Sequence, residues 1–80
     1  MGHEARLVFE YDDAGSADRV AAAIGPEEDD IDGDRTTATV SVDGATLAVS
    51  IRADDLIALR AGANTWCSLV AVAEGAGGVA

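Results

Sequence analysis

The sequence predicts an α+β fold, a two-layer sandwich of element order β-α-β-β-α in which two helices cover one face of a three-stranded, mainly antiparallel sheet. Three observations predict it. Apolar and polar residues alternate in an opening run and again in two runs around an Asp-Gly pair. A short and a long stretch instead repeat apolar residues at offsets of three and four. Turn residues separate all five.

The first strand is read over residues 6–11, where Leu7, Phe9 and Tyr11 share one face and Arg6, Val8 and Glu10 the other. Asp12, Asp13 and Gly15 end it. Ser16 then occupies an N-cap position before Ala17, Val20, Ala21 and Ile24, the stripe of a short amphipathic helix that Gly25-Pro26 stops. Residues 27–35 form an acidic connector. Its Asp30, Asp32 and Asp34 mimic the start of an EF-hand loop. The motif then fails, because Arg35 stands where the glycine is required and Ser41 where the bidentate glutamate is required.

From Thr36 the alternation resumes, Ala38, Val40 and Val42 against Thr37, Thr39 and Ser41, and after Asp43-Gly44, Leu47, Val49 and Ile51 against Thr46, Ala48 and Ser50. This predicts a hairpin around a type I′ turn at Asp43-Gly44. Asp54 or Asp55 caps the last element, a helix to about Glu74 with Leu56, Leu59, Ala63, Trp66, Val70 and Ala73 on its buried face. A second set on that helix, Ile57, Cys67, Ala71 and Val72 with the small residues Ala58, Ala61, Gly62 and Thr65, leaves much of the remaining surface uncharged. The first helix covers part of it, and a partner protein is expected to cover the rest. The helix should overhang strands of six or seven residues, and residues 75–80 read as a frayed Gly-rich tail. If the helical crossover skips one position, the third strand lies centrally between the other two.

Eighty residues allow one domain with a single modest core, its ordered part expected over about 5–74. Cys67 is the only cysteine, so no disulfide supplements that core, and oligomerisation is the expected supplement. Residues 1–6 show no apolar leader and no unbroken apolar run approaches the ~20 residues that span a bilayer, so a cytoplasmic protein without membrane contact is expected. The net charge is −10; all five basic residues are arginine, and Asp outnumbers Glu two to one. That balance suits molar salt, where a Debye length of about 3 Å screens self-repulsion. It argues against the chain gripping nucleic acid alone.

The inventory for catalysis is poor. His3 is the only histidine and stands near the N-terminus, Cys67 has no histidine in sequence reach and reads as a small core residue, and no phosphate-cradling glycine motif occurs. No enzyme, metal or cofactor is therefore expected. Arg60 and Asn64 stand four apart beside the apolar stripe, where Arg60 can make a fixed contact to an acidic group with Asn64 positioning it. Trp66 is a core residue or, if partly exposed, an interface anchor. Gly62, costly in a helix by about 1 kcal/mol, predicts close approach of another backbone.

The segment from Ala53 to Trp66, with its acidic cap, Leu59-Arg60 and Asn64 four residues on, resembles the hallmark of the KEOPS small-subunit (Pcc) family, to which the CTAG/LAGE antigens are related. Leu7 to Tyr11 is similar to the family's opening strand and Ile24 to Glu27 to its helix-to-loop transition. The resemblance covers about residues 5–74 and implies a haloarchaeal form of a non-catalytic homodimeric scaffold. It implies that each protomer docks the ASKHA-fold threonylcarbamoyl transferase subunit, and through it the kinase-like subunit, in an assembly that builds threonylcarbamoyl-adenosine on tRNA. tRNA is expected to be met only indirectly or in the assembled complex. On the helical side the candidate partner-facing residues are Leu59, Arg60, Ala63, Asn64, Trp66 and Cys67.

The outer sheet face supplies a second candidate surface without reference to any family. Val8, Thr37, Thr39, Ser41, Ala48 and Ser50 lie on it, and Glu10 is its only acid at interior positions. A nearly uncharged face on a steeply acidic chain is a candidate homodimer interface. The alternative reading of the whole chain is a free-standing small RNA- or ligand-binding α+β domain, for which a K-homology Gly-x-x-Gly loop with basic neighbours is missing.

Overall fold

The computed structural model describes residues 2–25 and 36–76. The elements follow the predicted order: β1 (His3–Glu10), α1 (Ala14–Ile24), β2 (Thr36–Asp43), β3 (Thr46–Ala53) and a long helix, α2 (Leu56–Ala76). The sheet order is β1-β3-β2 with both pairings antiparallel, so β3 is central as expected. The acidic segment 27–35, with its calcium-like Asp30, Asp32 and Asp34, and the tail beyond Ala76 lie outside the described residues.

Register sets the layers. Leu7, Val49 and Val40 lie side by side across the three strands, as do Phe9, Leu47 and Val42. Because side chains alternate at every residue, that one register sends all these groups to the helical side. There Leu47, Val49, Ile51 and Ala53 of β3 are buried with Val20 and Ile24 of α1 and with Leu59, Trp66, Val70 and Ala73 of α2. At about 25 cal/mol per Å² of apolar area, this single layer of contact is what stabilises the sandwich.

Several boundaries differ from the sequence reading. β1 begins at His3 and ends at Glu10, with Tyr11 just past it, its N–H donating to Ala45 O at 2.9 Å. All three strands have eight residues. At about 3.4 Å per residue they reach ~27 Å, so the ~31 Å of α2 overhangs them by only a few ångströms. The cap of α1 is Asp13, whose Oδ1 accepts from Ser16 N at 2.7 Å, while Ser16 itself is buried inside the first turn. Asp13 wins because its carboxylate reaches the third N–H of the helix from an extended backbone, φ −148° and ψ 163°. Asp55 caps α2, accepting from Ala58 N at 2.8 Å.

The hairpin is real but its turn is shifted. Asp43 pairs with Thr46, leaving Gly44 and Ala45 as the two loop residues. Gly44 alone among the described residues has positive φ, 63°. A positive φ at the first loop position only is the mark of a type II′ turn, not the type I′ expected from Asp-Gly. Gly62 also differs in detail. A Cβ there would lie 3.3 Å from Ile51 Cγ2 and 3.8 Å from Thr36 Cγ2, so the close neighbours are side chains of the sheet rather than a second backbone.

Candidate functional site

Two surfaces remain after the core has formed. The first is the solvent side of α2. In 21 residues this helix carries two charges, Arg60 and Glu74. By length and composition Leu56–Gly75 is apolar enough to cross a membrane. This corrects the reading from unbroken runs, since single polar residues interrupt the stretch without lowering its mean hydropathy enough. Yet Leu59, Trp66, Val70 and Ala73 are packed on the sheet, the arrangement of a core-covering helix.

Away from the sheet, α2 exposes Ile57 (80% accessible), Val72 (70%) and Leu56 (50%). Ala61, Asn64, Ser68 and Ala71 lie exposed between them. Leu56 was expected on the buried face. It is the first helical residue, directly after the turn from β3, where the sheet no longer covers it. Cys67 was expected in the core and is exposed. It follows Trp66 by one residue, which rotates it ~100° from the buried line.

Of the predicted partner-facing residues, Leu59 and Trp66 are therefore core, Ala63 is half-buried, and Arg60, Asn64 and Cys67 are exposed. Arg60 and Asn64 make no side-chain hydrogen bond or ion pair to another described residue, so the two are available outward. Thr65, beside them, is satisfied within the helix, its Oγ1 donating to Ala61 O at 2.9 Å.

The second surface is the outer sheet face. Register arranges it as four transverse rows: Glu4, Arg52, Thr37; Arg6, Ser50, Thr39; Val8, Ala48, Ser41; and Glu10, Thr46, Asp43. Val8 is half-exposed at 52%, whereas Ala48, between Val8 and Ser41 in the central strand, is buried. All six residues predicted for this face lie on it. The longer β1 also brings Glu4 there, beside Arg6, Arg52 and Asp43, so the charge-free region is the middle of the face and not the whole. Extending the alternation backwards from Arg6 would have found Glu4.

Electrostatics adds two local features. Hydrogen bonds from the Ser16 backbone N–H and then its side chain, with Arg19 nearby, hold the Asp13 carboxyl below its ordinary pKa. Arg19 Nη2 also donates to Ser16 Oγ at 3.2 Å. At the other end Tyr11 Oη donates to Glu74 Oε2 at 2.7 Å. Burial first, then this hydrogen bond and the carboxylate charge, raise the phenol pKa well above its ordinary range. No group of three or more metal-capable side chains gathers among the described residues.

These elements and surfaces match a known family along nearly their whole length. A family model described as Pcc1, transcription factor Pcc1, matches residues 4–76, from the start of β1 to the end of α2. No curated protein matches the chain. The β-α-β-β-α order, the capped Leu59-Arg60 helix and a match over both helices and all three strands lead to one conclusion: the chain belongs to the Pcc1 family, the small-subunit family of the KEOPS complex.

Proposed function

We propose that this chain is the non-catalytic scaffold subunit of a haloarchaeal KEOPS complex. It pairs with a second copy of itself through the outer sheet face and receives the transferase subunit on the helical side. Two transferases, each with its kinase-like companion, are thereby brought into one assembly that modifies tRNA in the cytoplasm. The observation that carries the reading is the solvent side of α2, where Ile57 and Val72 stand open on a helix with two charges, in a chain of net charge −10. A helix apolar on its outer side as well as its inner side needs a second cover. Arg60 and Asn64, unpartnered at the edge of that strip, supply the polar rim that fixes register.

The family's descriptive title would suggest DNA contact. Neutralising phosphates needs clustered basic groups, whereas the chain has five arginines scattered over β1, α1, the connector, β3 and α2. A protein-binding role within an assembly accommodates the acidity, and tRNA is left to the other subunits.

Co-purification in molar salt tests this directly. The wild-type chain is expected to bring down the transferase and its kinase-like companion. Ile57→Asp with Val72→Asp should lose both while remaining dimeric, and Thr39→Asp with Ser41→Asp should give monomers by light scattering. Recovery of a free wild-type monomer without companions would sink the proposal.

A further inference from the structure

The open strip of α2 has its two largest apolar groups near its ends, Ile57 in the first turn and Val72 in the last turns, about 22 Å apart along the axis. One partner surface meets both only if the helix keeps a single roll throughout, because each residue turns the surface by about 100°. The first end is fixed. Asp55 accepts from Ala58 N through its carboxylate and from Leu59 N through its carbonyl. The last end has no cap of that kind: no basic side chain stands in the last turn to meet its free carbonyls. Gly75 is exposed, and a Cβ there would meet nothing within 4 Å. Val70 and Ala73 press this end onto the sheet, but apolar contact is non-directional and does not by itself set a roll.

Glu74 is the exception at that end. An acid in the last turn opposes the helix dipole, so helix formation alone gives no reason for it. Its carboxylate instead accepts from Tyr11 Oη at 2.7 Å, and a charge-assisted hydrogen bond fixes both distance and direction. Tyr11 is itself held by the sheet, its N–H donating to Ala45 O in the hairpin loop at 2.9 Å, and its ring packs on the core. Glu74 stands about 40° round the helix from Val70 and about 100° from Ala73. The bond and the apolar contacts therefore act on different lines of the same two turns, and together they allow one roll.

We infer that Tyr11 is a positioning residue for the partner-facing strip: through Glu74 it fixes the roll of the last turns of α2, so that Val72 faces the same partner surface as Ile57. The inference rests on the docking role of the strip proposed above and adds the contact that aims it. Val72 lies about 160° round the helix from Glu74, on a side that the bond orients and does not cover. Without the bond the end samples other rolls, and the partner must select the competent one. The apparent dissociation constant then rises as the competent fraction falls. One hydrogen bond of ordinary strength sets that rise at about three- to tenfold.

Titration calorimetry with the purified transferase subunit in molar salt tests this. Tyr11→Phe keeps the ring and removes the donor, and should weaken binding about three- to tenfold. Glu74→Ala should do the same, and the two together should cost no more than either alone, since both remove one bond. Glu74→Gln keeps an acceptor and should lie between these variants and wild type. Ile24→Val, a core truncation on α1, is the stability control: it should lower the melting midpoint and leave the affinity unchanged. Circular dichroism checks that every variant is folded at the assay temperature. In the free protein, Tyr11→Phe should also speed amide exchange at Val72, Ala73 and Glu74 while Ala58 and Leu59 stay as protected as before. Folded Tyr11→Phe and Glu74→Ala variants that bind like wild type, or that lose no more affinity than Ile24→Val, would overturn the positioning role and leave the docking surface standing. Losses that multiply in the double variant would also overturn it, because the two residues would then act separately. A wild-type chain without affinity for the transferase would overturn both.

Discussion

The phenol of Tyr11, one residue past β1, donates a 2.7 Å hydrogen bond to Oε2 of Glu74 near the end of α2, across 63 residues of sequence. It ties the tip of an edge strand to the end of the longest helix. Glu74 is one of only two charged residues on α2, so this contact anchors a segment that otherwise relies on apolar packing.

Titration reads that bond directly, because Tyr11 is the only tyrosine. The folded pKa is raised above the unfolded value of 10.0 by burial and by Glu74. The stability it contributes is therefore complete below pH 10.0 and is lost as pH rises towards the folded pKa, since the unfolded chain releases the phenolic proton first. Phenolate absorbance should appear in the folded protein only at pH clearly above that of a free tyrosine. Glu74→Gln removes the carboxylate charge and should lower the transition, leaving the effect of burial and the weaker hydrogen bond that an amide oxygen accepts. Tyr11→Phe should cost about 1 kcal/mol in denaturant melts. A wild-type phenol that ionises like free tyrosine would contradict the bond.

Trp66 is the largest side chain buried against β3 and α1, 1% accessible. Trp66→Ala leaves a cavity that costs about 3–5 kcal/mol. A domain of this size has a total stability of about 4–12 kcal/mol. Circular dichroism should therefore show Trp66→Ala largely unfolded as an isolated chain, while Trp66→Phe folds with a lowered midpoint. A Trp66→Ala variant melting like wild type would place the core elsewhere.

What was legible in the sequence was periodic. Alternation around Asp43-Gly44 located the hairpin, and the offsets from Leu59 to Ala73 located the buried stripe, because register and helical pitch turn spacing directly into faces. What was not legible depended on end effects and on distance. The choice of Asp13 over Ser16 as cap, and the shift of the turn to Gly44-Ala45, are decided by which of two adjacent residues takes the extended or the left-handed backbone. Propensity separates such neighbours poorly. Cys67 was misplaced because composition says that a free cysteine is usually buried, whereas one step of helical rotation from Trp66 decides the matter. The Tyr11–Glu74 bond joins opposite ends of the chain. Its signals were there: Tyr11 shares parity with Leu7 and Phe9, and Glu74 lies four residues after Val70. The outer sheet face was mostly legible, since alternation alone places Arg6, Val8 and Glu10 on it beside the hydroxyl residues, and only Glu4 depended on β1 beginning at His3.

Gly44 isolates backbone strain from packing, because a Cβ added there would meet nothing within 4 Å. Its φ of 63° costs a non-glycine residue about 1–2 kcal/mol. Gly44→Ala should lower stability by that amount, because the first loop position of a type II′ turn calls for glycine. Equal stabilities for Gly44→Ala and wild type in urea melts would mean that the turn has another conformation.

Asp55 tests how far α2 depends on its first turn. Its Oδ1 accepts from Ala58 N at 2.8 Å, and its backbone carbonyl accepts from Leu59 N at 3.0 Å. Asp55→Ala removes the side-chain cap and should cost about 0.5–2 kcal/mol, whereas Asp55→Asn or Asp55→Ser keeps an acceptor and should lose a smaller part. Leu59, buried four residues later, enters the core from this turn, so fraying should spread to it and not stop at the cap. Amide exchange is the discriminating measurement: Asp55→Ala should speed exchange at Ala58 and Leu59 while the β1–β3 ladder stays protected. Uniform acceleration across the sheet would show instead that the cap supports the whole fold and not the helix end alone.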